Sequence, residues 1–92
     1  MESILKELQR VGVSYGLQTD MILEGNVARD VVIGFRVYTM GPEVVNLLEP
    51  LVEPGKVYRF MINDVVSGYY LHLNKEDPLW KSYNASYLKV HQ

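Results

Sequence analysis

Ninety-two residues, 48% of them hydrophobic and 22% charged, make one small globular domain. Cysteine is absent, which excludes disulfides, zinc ribbons and thiol chemistry, and no apolar run approaches the roughly 18–20 residues of a membrane-spanning helix. The net charge of −2 argues against generic affinity for duplex DNA, and Met1-Glu2-Ser3 places no basic stretch before an apolar one, so a cytoplasmic setting is expected, the host-cell cytoplasm if the chain is virus-encoded.

Ile4, Leu5, Leu8 and Val11 recur at helical spacing, with Glu2 four residues before Lys6 and Ser3 as N-cap, so a first helix is predicted over 3–11, ending at Gly12. Val11, Val13, Tyr15 and Leu17 then alternate as a strand, followed by a predicted turn at Gln18-Thr19-Asp20, a short apolar run and the turn pair Gly25-Asn26. Residues 31–39 read as a strand with Val31, Ile33, Phe35 and Val37 facing a core and Val32, Gly34, Arg36 and Tyr38 opposite. Gly41-Pro42-Glu43 opens a second helix over 42–49, with Val44, Val45, Leu47, Leu48 and Leu51 as its apolar stripe and Pro50 as its stop. Glu53-Pro54-Gly55-Lys56 has the composition of a type II turn. Three further strands are predicted, over 57–63, 69–74 and 83–90, the first two joined around residues 64–68. The predicted fold class is α+β: two short helices with a mostly antiparallel sheet of five or six strands, open or closed into a small OB-like barrel.

The charge is uneven along the chain. Residues 1–55 carry four basic and eight acidic side chains, and residues 56–92 five and three, so the balance turns from −4 to +2. Seven of the ten aromatic residues also lie in 56–92, which makes that segment the natural place for a binding surface. Alternation assigns Tyr58, Phe60, Ile62, Tyr69, Leu71, Leu73, Leu88 and Val90 to a core face. Arg59, Tyr70, His72, Tyr87, Lys89 and His91 fall on the opposite one. Interleaved cations and rings on an open sheet suit the stacking of unpaired bases, and strand tyrosines on an ordinary half-buried surface give the same pattern.

Residues 74–81 form a predicted charged loop that contains Leu79 and Trp80, and an exposed apolar pair of this kind can anchor a protein partner. The bland counterpart is an indole folded back as a lid on the core. His72 and His91 could hold a metal with Asp64, Glu76 or Asp77, but they stand nineteen residues apart in no ligand spacing and read as surface histidines. Asn84-Ala85-Ser86 matches a glycosylation acceptor, an accidental match in a chain expected to stay in the cytoplasm. No phosphate-cradling glycine motif, nucleophile elbow or cofactor motif occurs.

The expectation is therefore a small non-enzymatic binding protein, an accessory subunit or inhibitor of the kind that viruses and plasmids also encode. It would contact a protein partner through Leu79, Trp80, Tyr70 and Tyr87. The alternative is a single-stranded nucleic-acid module using Arg59, Tyr70, His72, Tyr87 and Lys89, and the third reading a metal-dependent enzyme centred on His72. No metal, cofactor or membrane is expected, and self-association through a sheet edge is a further expectation.

Overall fold

A computed structural model of the protein describes residues 1–85. Helix α1 spans Glu2–Arg10, strand β1 Gly16–Glu24, β2 Val27–Val37 and helix α2 Pro42–Leu48. A 3-10 turn follows at Glu49–Leu51, then strands β3, Val57–Ile62, and β4, Val65–His72, and helix α3, Pro78–Tyr83. The strands form one antiparallel sheet in the order β1-β2-β4-β3. The α+β class holds. Among the described residues the sheet has four strands, with β1 and β3 at its two ends and not paired with each other; a fifth or sixth strand and closure into a barrel are not found among them.

The sequence patterns account for both expected helices. In α1, Leu5 and Leu8 are buried, Glu2 pairs with Lys6 at 3.1 Å, and Glu7 with Arg10 at 2.7 Å. The N-cap is Met1 rather than Ser3. Helix α2 starts with Pro42 in its first turn and buries Val44 and Leu48. The α-helix ends before Glu49, as the position of Pro50 predicts, and the chain tightens into the 3-10 turn, where a missing N–H costs little.

The N-terminal strands depart from expectation. β1 begins only at Gly16, and Gln18-Thr19-Asp20 lies within it rather than in a turn. These polar residues suit an edge strand: Asp20 accepts from the Met21 N–H at 2.9 Å, and the Gln18 side-chain amide donates to the Thr19 carbonyl at 3.1 Å. The register with β2 slips between Gln18 and Thr19, which pair with Gly34 and Val32, so Ile33 is an extra residue in β2.

β3 inverts the expected faces. Val57 pairs with Leu71, Tyr58 with Tyr70, Arg59 with Tyr69 and Phe60 with Gly68. Paired residues share a face of the sheet. Val57 therefore joins Leu71 in the core, while Tyr58, Phe60 and Ile62 lie on the side of Tyr70. The register is fixed by a two-residue turn at Asn63 and Asp64, whose φ values of 49° and 64° match a type I′ turn. Residues 64–67, expected to be a connection, instead begin β4 at Val65, with Ser67 as an extra residue.

The predicted strand over 83–90 is also corrected at its start. Tyr83 closes helix α3, and residues 86–90, with Leu88 and Val90, lie outside the described residues. Asp77 caps α3 by accepting from the Leu79 N–H at 3.0 Å, with Pro78 behind it in the first turn. Leu5 and Leu8 from α1, Val44 and Leu48 from α2, and Trp80 from α3 cluster with Phe35, Val37, Val57, Tyr69 and Leu71 in one core. All three helices thus cover the Phe35–Leu71 side of the sheet.

Candidate functional site: the helix-free face of the sheet

The opposite side of the sheet is covered by none of the described helices. Arg36 and Tyr38 from β2 and its end, Tyr58, Phe60 and Ile62 from β3, and Val65, Tyr70 and His72 from β4 bring their side chains there. Tyr38 is 56% exposed, Tyr58 42%, Ile62 52% and Val65 63%. Among the described residues Arg36 is the only arginine, lysine or carboxylate in this group; Asp20 and Glu24 of β1 and Arg29 of β2 share the face by register but lie farther along the β1–β2 hairpin.

The rings are held in place. Tyr38 meets Phe60 edge to face at 5.8 Å, and the Arg36 guanidinium lies 5.8 Å from the Phe60 centroid. Arg36 Nη1 also donates to the Tyr38 hydroxyl at 2.9 Å. Tyr58 is fixed at its tip, where its hydroxyl accepts from the Gly55 N–H at 2.6 Å. Gly55 takes φ 86° in the turn its composition announced. Tyr70 lies 6.0 Å from Tyr58 and 6.1 Å from the His72 ring.

The Tyr70 hydroxyl donates its one proton to the carbonyl of the bulged residue Ile33 at 3.0 Å. The 3.2 Å contact between that hydroxyl and His72 Nδ1 must then be donated by an Nδ1–H, which fixes the imidazole tautomer. Burial pushes the Tyr70 phenol above its usual range, neighbouring Tyr58 adds to the effect, and the Arg36 charge opposes it.

Two glycines shape the floor. A methyl group on Gly34 would stand 2.6 Å from the Tyr70 ring and collide with the Leu71 carbonyl, and one on Gly68 would collide with the Val37 carbonyl. Gly34→Ala is expected to lower stability by about 1–3 kcal/mol, because backbone rather than a pliable side chain must move. It should also displace Tyr70, seen as a shifted tyrosine ring signal by NMR. An unchanged melting temperature with unchanged ring shifts would contradict this packing.

The other expected site residues are dispersed. Arg59 points to the helix side, where its Nε donates to Glu49 Oε1 at 2.7 Å and its Nη2 to the same oxygen. Trp80 is only 8% exposed, with Lys75 Nζ 6.0 Å from its ring, so the expectation of an exposed anchor is corrected in favour of a lid. Leu79 is half-buried against the core. Asp64 sits in the β3–β4 turn, Glu76 is exposed, and Asp77 is engaged in capping α3 and in a 3.3 Å ion pair with the Met1 ammonium. Among the described residues, no three His, Cys, Asp or Glu side chains stand close enough to hold a metal ion. Tyr87, Lys89 and His91 lie outside the described residues. Asn84 is buried with its amide bonded to Val32, so the apparent glycosylation acceptor is closed in the folded chain.

A cleft of about 350 Å³ lies between Met1 and Ile4 of the N-terminal segment, residues 50–53, and His72 and Asp77. Its charged groups already satisfy one another, Lys56 with Glu53 at 2.7 Å and the Met1 ammonium with Asp77. The aromatic face is the more open surface.

The Arg59–Glu49–Tyr69 cluster gives the fold a pH signature. Hydrogen bonds from Arg59 and then Tyr69 hold the Glu49 carboxyl below the usual carboxylate range. Its contribution is therefore complete above the ordinary value of 4.5 and is lost as pH falls through the lowered one. Burial, and then the hydrogen bond it donates to Glu49 at 2.7 Å, pushes Tyr69 up from 10.0 to about 12. The folded state favours the neutral phenol, so this contribution is whole below pH 10 and is lost as pH rises toward 12. In Tyr69→Phe the decline of stability over that alkaline interval should be shallower than in the wild type. Urea midpoints at several pH values measure it, and parallel declines would refute the assignment.

Alternation places Arg36 and Tyr38 opposite the core face of their own strand, as found, but it puts Tyr58 and Phe60 on the core face. The signal that could have found them is the Asn63-Asp64 pair, whose tolerance of positive φ sets a two-residue hairpin and with it the register of β3. No described helix is long and apolar enough to cross a membrane. No family model matches this sequence, and the searches of curated proteins and of solved structures gave no match either.

Proposed function

We propose that the protein is a non-enzymatic binding module, an accessory subunit or inhibitor, that docks a protein partner on the helix-free face of its sheet. The observation that carries this reading is the exposed group Tyr38, Tyr58, Ile62 and Val65 around Arg36, on a face that no described helix covers. Tyrosine and arginine are the residues on which interface energy concentrates, and apolar neighbours around them exclude water. Because the rings stand on paired strands and are braced by hydrogen bonds, little side-chain freedom remains to be lost on docking.

The nucleic-acid alternative is less favoured. It needs several cations tracking the phosphates, and the described face offers Arg36 and Arg29 with the carboxylates Asp20 and Glu24 on the same side, while Arg59 is engaged with Glu49 on the other side. The contact surface moves accordingly from Leu79 and Trp80 to Tyr38 and Tyr58.

Affinity capture from the native cell, followed by titration of the captured protein, tests the reading. Tyr38→Ala and Tyr58→Ala should each weaken that interaction by about 1–3 kcal/mol, with circular dichroism unchanged. A partner held equally by both variants would overturn the proposal.

A further inference from the structure

The cations of this protein are not alike in their surroundings. Lys6, Arg10, Lys56 and Arg59 each bind a carboxylate of the chain itself. Arg36 has no carboxylate partner among the described residues. It is held instead by neutral groups, the Phe60 ring and the Tyr38 hydroxyl, and is half-buried between them. Only Nη1 is engaged by Tyr38, so Nε and Nη2 keep donors for a ligand. A guanidinium fixed against rings and partly shielded from water is prepared to take a planar anion in two parallel hydrogen bonds.

We infer that the partner presents an acidic peptide segment, in which an Asp or Glu carboxylate binds Arg36 and flanking apolar side chains pack on Tyr38, Phe60, Ile62 and Val65. This rests on the docking role proposed above and adds the chemistry of the partner. Charge complementarity supports it, since Arg36 forms no ion pair among the described residues and the carboxylates that register places on this side, Asp20 and Glu24 of β1, lie four and eight residues along the strand from Gly16, its cross-strand partner. One fixed guanidinium amid exposed apolar groups matches a single carboxylate in an otherwise apolar segment better than a strand of phosphates, which carries one charge per nucleotide. The protein's net charge of −2 gives no long-range attraction for acidic ligands, so the recognition is local and only modestly salt-dependent.

The test is selection of binders to the full chain from a phage-displayed random dodecapeptide library. Selected peptides are synthesised, and their binding is mapped by NMR shift changes. The expected result is enrichment of Asp and Glu over the starting library, with shifts concentrated at Tyr38, Tyr58 and Phe60. Replacing the peptide carboxylates by amides should weaken binding about tenfold or more, as loss of a charge-assisted pair does. Arg36→Gln should produce the same loss and leave the amide peptides unaffected. The amide peptides keep the test intact should Arg36→Gln fold poorly.

Binders that map to this face without acidic enrichment would overturn the inference and leave the docking role standing. Binders that map elsewhere, or none at all, would overturn both. A mixed-sequence oligonucleotide displacing the selected peptides at low salt would overturn the assignment to protein in favour of nucleic acid.

Discussion

Truncating Phe35 to alanine should destabilise the fold by about 3–5 kcal/mol, the range for a fully buried phenylalanine whose neighbours cannot close the gap. Phe35 has no exposed surface and sits near the C-terminal end of β2, between Leu17 on β1 and Leu71 on β4. Its ring is met edge to face by Tyr15 at 5.5 Å and by Tyr83 at 5.2 Å, so contacts from the segment before β1 and from α3 are lost together. Strands on both sides fix the backbone and prevent collapse into the cavity. A domain of this length has a stability of about 5–10 kcal/mol, so the variant should unfold at a much lower urea concentration. Phe60→Ala, at a half-buried site on the open face, should cost less than half as much. Equal urea midpoints for the two variants would refute the division of the sheet into a core face and an open face.

That division was only partly legible in the sequence. α1, α2 and the central strand β2 follow from hydrophobic period and turn residues, because each buries one well-defined stripe against the rest of the chain. The errors came where a local pattern admits two answers. In β3, Val-Tyr-Arg-Phe-Met-Ile alternates two apolar sets, and rings occupy the half-exposed side while Val57 takes the core. Composition ranked Tyr58 and Phe60 as the better core residues. The Asn63-Asp64 turn and the pairing with β4 decide otherwise, and a one-residue change of register moves every side chain to the other face. Around Trp80, four charged residues suggested a solvated loop, although Asp77-Pro78 is a helix start in which an N-cap precedes a proline. The single indole is then carried into the core by a helix of six residues. As a result, alternation places Tyr70, His72, Arg36 and Tyr38 on the side away from the core, as found, while it exchanges Tyr58, Phe60 and Ile62 with Arg59 in β3. Arg36 and Tyr38 join the exposed cluster only through pairing between distant strands.

Asn84 is the second position where one side chain should have a large effect, and nothing in its neighbourhood in the sequence announces it. The ladder between β2 and β4 ends at the pair Gly34 and His72, and beyond it the backbone of Val32 would have no strand to bond. The Asn84 amide takes that place. Its Oδ1 accepts from the Val32 N–H at 2.8 Å, and its Nδ2 donates to the Val32 carbonyl at 3.1 Å and to the Trp80 carbonyl at 3.0 Å. The side chain is buried, with 3% exposure, so water cannot replace it. Asn84→Ala leaves two buried backbone groups of Val32 unpaired, at about 1–3 kcal/mol each, and should cost about 2–5 kcal/mol altogether. Asn84→Asp separates this account from simple loss of volume. A carboxylate still accepts from Val32 N–H, but it faces two carbonyl oxygens with no proton to offer. The variant should therefore be strongly destabilised at neutral pH and recover part of its stability as acidification protonates the new side chain, which then donates again. Thermal melts of Asn84→Asp across the range from neutral to mildly acidic pH, compared with Asn84→Ala, measure this. If the two variants lose stability equally at every pH, the amide is only filling space and does not extend the sheet.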